Sequence, residues 1–127
     1  MKPAPKKKFK KAERDTSWGK VAGWYTDHLQ KEDTYQNKVI LPNLLRMAKV
    51  AKGERVLALG CGEGFFAREL AKAGAKVTGT DIAKELIAQA RAKGNAEYFV
   101  SPANKLTFAK DSGFDAALCV LALQNIE

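Results

Sequence analysis

The stretch Val56–Phe66 reads VLALGCGEGFF, and it constrains the fold more than any other part of the chain. Val56 to Leu59 form an apolar run with no turn former, which predicts a buried strand over about Arg55–Leu59. The run stops at Gly60-Cys61-Gly62-Glu63-Gly64. Glycines let the backbone turn sharply and leave it bare of side chains, so another group can approach it closely. A helix over about Glu63–Ala73 follows directly, with Phe66 and Leu70 one turn apart and Gly74 as its stop. Seventeen residues beyond Gly64, Asp81 closes a second apolar run, Val77-Thr78-Gly79-Thr80. An acid at the tip of the second strand, facing a glycine turn after the first, is the arrangement by which an α/β sheet holds a nucleoside.

The rest of the chain keeps the same alternation. A strand over Lys76–Thr80 precedes a helix over about Ala83–Lys93, whose Leu86, Ile87 and Ala90 face inward and which ends at Gly94-Asn95. A third strand covers Glu97–Val100, and Ser101–Ser112 reads as a loop with room for one helical turn. Before the glycine turn, Trp18–Leu29 predicts a short helix carrying Val21, Trp24, Tyr25 and Leu29. A second, over Tyr35–Val50, is interrupted at Pro42, where the chain must kink or restart. Strands alternating with helices give a parallel sheet through right-handed crossovers. The fold class is α/β, a Rossmann-like parallel sheet of about four strands in the order 3-2-1-4.

The final run, Phe114–Leu123, is almost continuously apolar. A strand of that kind belongs inside a parallel sheet, covered on both faces and paired on both edges. The sequence ends at Glu127, so little remains to cover it, and an open apolar edge is a pairing template. The expectation is that either more chain completes the sheet or a second copy does, giving a homodimer through the Phe114–Leu123 edge.

Charge is unevenly placed. Of a net +8, most sits in the first fourteen residues, where Lys2, Lys6, Lys7, Lys8, Lys10, Lys11 and Arg14 oppose Glu13 alone. The expected organisation is a disordered basic tail over 1–16 and a domain over 17–127. The domain itself is near neutral, which argues against a dedicated nucleic-acid-binding surface. The tail could still make nonspecific contacts to nucleic acid through counterion release. No apolar h-region follows the lysines and no run approaches a membrane span. Cys61 and Cys119 lack the spacing of a metal site or a disulfide framework, so the expected location is cytoplasmic, with no metal and no membrane partner.

Three segments together, Val56–Gly64, Asp81-Ile82 and Phe114–Leu121, resemble the class I S-adenosylmethionine-dependent methyltransferases, in particular the type 11 methyltransferase-domain proteins. The spacing GxGxG, rather than GxGxxG, points the same way. The segments Trp18–Tyr25 and Leu121–Glu127 are also similar, so the resemblance runs from about Trp18 to the end. It covers the cofactor half of a domain that normally has seven strands. It implies that Gly60, Cys61, Gly62 and Gly64 lie under the methionine and ribose moieties, that Asp81 accepts hydrogen bonds from the ribose hydroxyls, and that Ile82 packs on the adenine. Pro102 and Ala103, within the loop Ser101–Asn104, would reach the adenine edge, and Cys119, Val120 and Leu121 would floor the pocket. Tyr25 and Trp24 would face the sulfonium, and Gln124 and Asn125 a methyl acceptor whose identity the sequence does not specify. No catalytic residue is assigned; His28, the one histidine, reads as an exposed helix residue.

Three positions depart from the family pattern. Ala58 stands where an acid of the first strand is usual, Pro102 where an Asp usually binds the adenine amino group, and Ala83 where a Ser or Thr usually caps the helix. Losing two charged hydrogen bonds, each of roughly 1.5–3 kcal/mol, would weaken the cofactor by about two to four orders of magnitude. The alternatives are a degenerate nucleoside-binding or interaction module that dimerises through its open edge, and a nicotinamide-dependent oxidoreductase. The second would want glycine where Phe65 stands.

Overall fold

The computed structural model describes residues 17–31 and 33–126. The basic segment 1–16 lies outside them, and with it the expectation of a disordered tail. Four parallel strands form one sheet: β1 (Arg55–Leu59), β2 (Lys76–Asp81), β3 (Glu97–Val100) and β4 (Ala116–Cys119). Their order is β3-β2-β1-β4, as the alternation of strand and helix predicts. The register places Val56 beside Val77 and Ala116, and Ala58 beside Gly79 and Leu118. These residues therefore share one face.

That face carries the core. Helices α3 (Phe65–Lys72) and α4 (Lys84–Lys93) pack on it, and Val56, Ala58, Leu70, Val77, Ile87 and Tyr98 form one buried cluster. Leu70 and Ile87 are fully buried, which accounts for the 3.6-residue spacing of apolar positions in both helices. Gly94 ends α4 with φ +75°. Before the sheet, α1 spans Ser17–Leu29 and α2 spans Leu41–Ala48. Pro42 falls in the first turn of α2, where its missing N–H costs nothing. A π-helical turn over Gln36–Ile40 runs directly into it, so the helical path changes its winding just before the proline and does not break.

The orientation of helix α1 is set by its contact with α4. Val21 and Trp24 are exposed, Trp24 to 68%, while Ala22, Thr26 and Leu29 are buried. The buried stripe faces α4: Ala22 clusters with Ala83 and Leu86, and the Thr26 hydroxyl donates to Gln89 Oε1. A small residue at 22 lets the two helices approach, and a bulky indole would not fit there.

The final apolar run forms less strand than its length suggests. Only Ala116–Cys119 pairs, with β1 alone, at the edge of the sheet. Asp115 holds that register: its N–H donates to the Arg55 carbonyl at 2.8 Å, and its carboxylate accepts from the Arg55 N–H at 2.8 Å and from the guanidinium at 3.2 Å. Beyond Cys119 the chain leaves the sheet through Leu121, at φ +54°, into a 3-10 turn over Leu123–Asn125. The apolar residues 120–122 serve a cavity instead of a strand.

Candidate functional site

A cavity of about 640 Å³ opens at the carboxyl ends of β1, β2 and β4, the end at which open α/β sheets bind ligands. The glycine turn forms its floor. Asp81 and Ile82 bound one side, Ser101 to Asn104 another, and Val120, Leu121, Gln124 and Asn125 a third. Tyr25 and Trp18 of α1 close over it, ring against ring at 5.3 Å in an edge-to-face pair. Its volume is that of an ordinary small-molecule site.

The three glycines of the turn do different work. A Cβ on Gly60 would meet the Ala122 Cβ at 2.6 Å, so Gly60 lets the last segment cross the turn. A Cβ on Gly64 would lie 2.6 Å from the Tyr98 hydroxyl, and Gly64 does not line the cavity. Only at Gly62 is the added atom nearly free, with Tyr25 at 3.9 Å as its one neighbour. Gly62 is therefore the bare backbone that a ligand can approach. Its φ of +57° also suits glycine.

Asp81 is already engaged. Its Oδ2 accepts from the Gly62 N–H at 3.0 Å and its Oδ1 from the Ala83 N–H at 2.8 Å. The second bond satisfies the N–H of Ala83, the residue that leads into α4 and supplies no side-chain cap of its own. The loop after β3 is fixed by main-chain and hydroxyl bonds: Thr80 Oγ1 donates to the Ser101 carbonyl at 3.1 Å and Ser101 Oγ to the Lys105 carbonyl at 2.9 Å. Pro102 is exposed at the cavity rim.

Several residues singled out from sequence lie elsewhere. Trp24 stacks on His28, ring centroids 5.6 Å apart, and neither lines the cavity. Cys119 is exposed and also outside it, since alternation along β4 turns Leu118 inward. Tyr25, Gly60, Cys61, Gly62, Asp81, Ile82, Pro102, Ala103, Val120 and Leu121 all line the cavity.

Two of the site's ionisable groups, Cys61 and Tyr25, hold their protons more tightly than usual. Burial, and next the charge of Asp81, push the Cys61 thiol up to about 12, so it is no nucleophile at neutral pH. Burial followed by the charges of Glu63 and Asp81 raises the Tyr25 phenol. Glu63 is a residue that sequence reasoning missed. Its side chain is 1% exposed and paired with Arg68 and Lys93. The available signal was a charge inside a glycine turn, with an arginine five positions on. Among the described residues, no group of His, Cys, Asp and Glu is arranged to hold a metal, and no helix is long and apolar enough to cross a membrane.

Known proteins resemble this chain in sequence and fold. The family model for a methyltransferase domain matches residues 56–127. A ubiquinone biosynthesis O-methyltransferase of Xylella fastidiosa is 28% identical over 125 residues, covering 94% of this chain and 51% of its own. The chain thus spans about half the length of the curated relatives it matches. Among solved structures, an S-adenosylmethionine-dependent methyltransferase from Mesorhizobium loti superposes with a TM-score of 0.59 at 33% identity, covering 76% of this chain and 44% of that one. One from Geobacter sulfurreducens, in complex with S-adenosyl-L-homocysteine, gives 0.57 at 26%, covering 66% and 36%. The resemblance first seen in the glycine turn and Asp81 extends through sheet and sequence alike, and the chain belongs to the methyltransferase-domain family.

Proposed function

We propose that this chain is the cofactor-binding part of an S-adenosylmethionine-dependent methyltransferase, and that the cavity over Gly62 and Asp81 takes S-adenosylmethionine and its product S-adenosylhomocysteine. The observation that carries the reading is the open space over Gly62, beside a carboxylate at the tip of β2. That cradle and donor set fit a ribosyl ligand. Asp81 keeps unused lone pairs on both oxygens for ribose hydroxyls, Ile82 offers an apolar face to the adenine, and Pro102 and Ala103 approach its edge.

The cofactor brings a methyl group already activated on a sulfonium, so the protein's task is to hold donor and acceptor close and in line. Gly62 brings the backbone near, Tyr25 presents an aromatic face and restricts water, and Val120 and Leu121 supply an apolar side wall. The O-methyltransferase relatives support an oxygen atom as acceptor, with Gln124 and Asn125 on the side from which it would enter. Calorimetric titration with S-adenosylhomocysteine tests the reading. Saturable binding is expected, weak because Ala58 and Pro102 carry no charge; no heat and no thermal shift at millimolar ligand would refute it.

The edge of β4 supports self-association. It is unpaired among the described residues, and it presents Ala117 and Cys119 to solvent. Sedimentation over a range of concentrations should show a dimer at the upper end, and a monomer throughout would count against it. The basic segment 1–16 and the domain from residue 17 onward are proposed as separate units, with the tail making nonspecific contacts to nucleic acid.

A further inference from the structure

Glu63 lies within the glycine turn, yet its side chain is 1% exposed. Removing a carboxylate from water costs several kcal/mol unless it is paired and hydrogen-bonded. Here it is bonded three times. Arg68 Nη2 donates to the two oxygens at 2.9 and 2.8 Å, and Lys93 Nζ donates to Oε2 at 2.6 Å. The Arg68 side chain, 14% exposed, also donates through Nη1 to the Glu63 carbonyl. One carboxylate thus ties the turn to the first half of α3 and to the last residue of α4.

The tie closes a ring beneath the turn. Lys93 precedes Gly94, whose carbonyl accepts from the Tyr98 hydroxyl at 3.4 Å. The Tyr98 ring fills the space left by the missing side chains of Gly64 and Gly79. One residue away on the opposite side, the Gly62 N–H meets Asp81. A buried ion pair is poor evidence for stability, because apolar residues of like volume do as well. What three directional bonds on one carboxylate supply, with the Arg68 bond to the Glu63 carbonyl, is a fixed anchor at residue 63 that limits the conformations open to Gly62 just before it.

We propose that Glu63 is a positioning residue: clamped by Arg68 and Lys93, it sets the Gly62 amide against Asp81 and so preorganises the floor of the cavity. Its effect on affinity rests on the cofactor reading above; its effect on the amide does not. The test is hydrogen exchange at single amides of the ligand-free chain, read by NMR, in wild type, Glu63→Gln and Lys93→Met. Gly62 should exchange about tenfold faster in both variants. The Cys61 amide, bonded across the sheet to the Thr80 carbonyl at 2.9 Å, should keep its wild-type rate. Lys93→Arg should restore Gly62, and S-adenosylhomocysteine should bind Lys93→Met about tenfold more weakly than wild type. An unchanged Gly62 rate in the variants overturns the proposal, and so does equal acceleration of Cys61 and Gly62, which marks general destabilisation. If Glu63→Gln does not fold, Lys93→Met and Lys93→Arg decide, since both leave the Arg68 pair in place. Failure of wild type to bind the ligand would refute the cofactor reading, while the exchange rates still decide the positioning role.

Discussion

The Gly62 amide donates to Asp81 Oδ2 at 3.0 Å, so the acid that would hold a ribose also holds the turn on which the ligand would rest. One carboxylate therefore joins the tip of β2, the glycine turn and, through Ala83, the start of α4. Binding and local order are coupled at this residue, and substitutions there should affect both.

Asp81→Ala removes two charge-assisted acceptors from backbone N–H groups and should destabilise the chain by about 2 kcal/mol. Asp81→Asn keeps an acceptor for Ala83 but cannot also accept from Gly62 with its amide nitrogen, so it should cost less. Both should abolish measurable binding of S-adenosylhomocysteine. Urea unfolding and calorimetry read the two effects. Equal stability of wild type and Asp81→Ala would show that the bonds to Gly62 and Ala83 contribute nothing net.

How much of this was legible depended on where each residue's partners lie in sequence. Strands β1, β2 and β3 and helices α3 and α4 were legible because their signals are local: apolar runs, the spacing of Leu86, Ile87 and Ala90, and stops at Gly74 and Gly94. The strand order followed from the alternation. Asp81 stood out because its position relative to the turn is set by one strand-helix-strand unit. Glu63 did not, because one of its partners is thirty residues away and a charge in a turn ordinarily reads as solvated. The run Phe114–Leu123 misled on length for a similar reason. Val120 and Leu121 are apolar on account of the cavity and Ala122 is small on account of Gly60, which periodicity along the strand cannot reveal. On α1, helical spacing alone could not choose between the Val21–Trp24 stripe and the Ala22–Thr26–Leu29 stripe, since the close approach of α4 makes that choice.

Gly64→Ala should be strongly destabilising although it does not touch the cavity. The new methyl would stand 2.6 Å from the Tyr98 hydroxyl and 3.0 Å from Arg68 Nη1, at φ +88°. Tyr98→Phe removes the clashing oxygen at the loss of one long bond to Gly94. The double variant should therefore recover about 1 kcal/mol relative to the sum of the single changes, leaving the close contacts to Tyr98 Cζ and Arg68 Nη1, both at 3.0 Å, and the strain of the left-handed backbone. Urea midpoints of the four proteins check it, and strict additivity would place the obstruction elsewhere.

The two positions that lack an acid should not respond alike when one is supplied. Pro102 is exposed at the cavity rim and contributes only its carbonyl to the loop, accepting from the Lys105 N–H at 3.1 Å. Pro102→Asp should leave stability nearly unchanged and tighten S-adenosylhomocysteine by roughly tenfold, the effect of one charged hydrogen bond. Ala58 is 7% exposed in the core cluster with Ala67 and Leu70. Ala58→Asp places a carboxylate in that apolar setting and should destabilise by several kcal/mol unless the bound ligand pairs it. Thermal shifts with and without ligand separate the cases. Equal loss of stability in both variants would contradict the difference in burial.

Cys61 should give the chain a distinct weakness toward alkali. Burial and the neighbouring Asp81 charge raise its thiol to about 12 in the folded state, from an ordinary value of 9.0. The folded chain therefore keeps a proton that the unfolded chain has released, and stability falls as pH rises from 9 toward 12. The slope approaches about 1.4 kcal/mol per pH unit within that window. Below 9 both states hold the proton and the contribution is constant. Cys61→Ala removes the group, so its urea midpoint should decline less than that of wild type between pH 8.5 and 10 (about the range below tyrosine ionisation). Cys119, exposed, should be alkylated readily at pH 8 in the folded protein while Cys61 is spared. Parallel pH profiles for wild type and Cys61→Ala, with both thiols modified at the same rate, would show that the turn is open to water at this position.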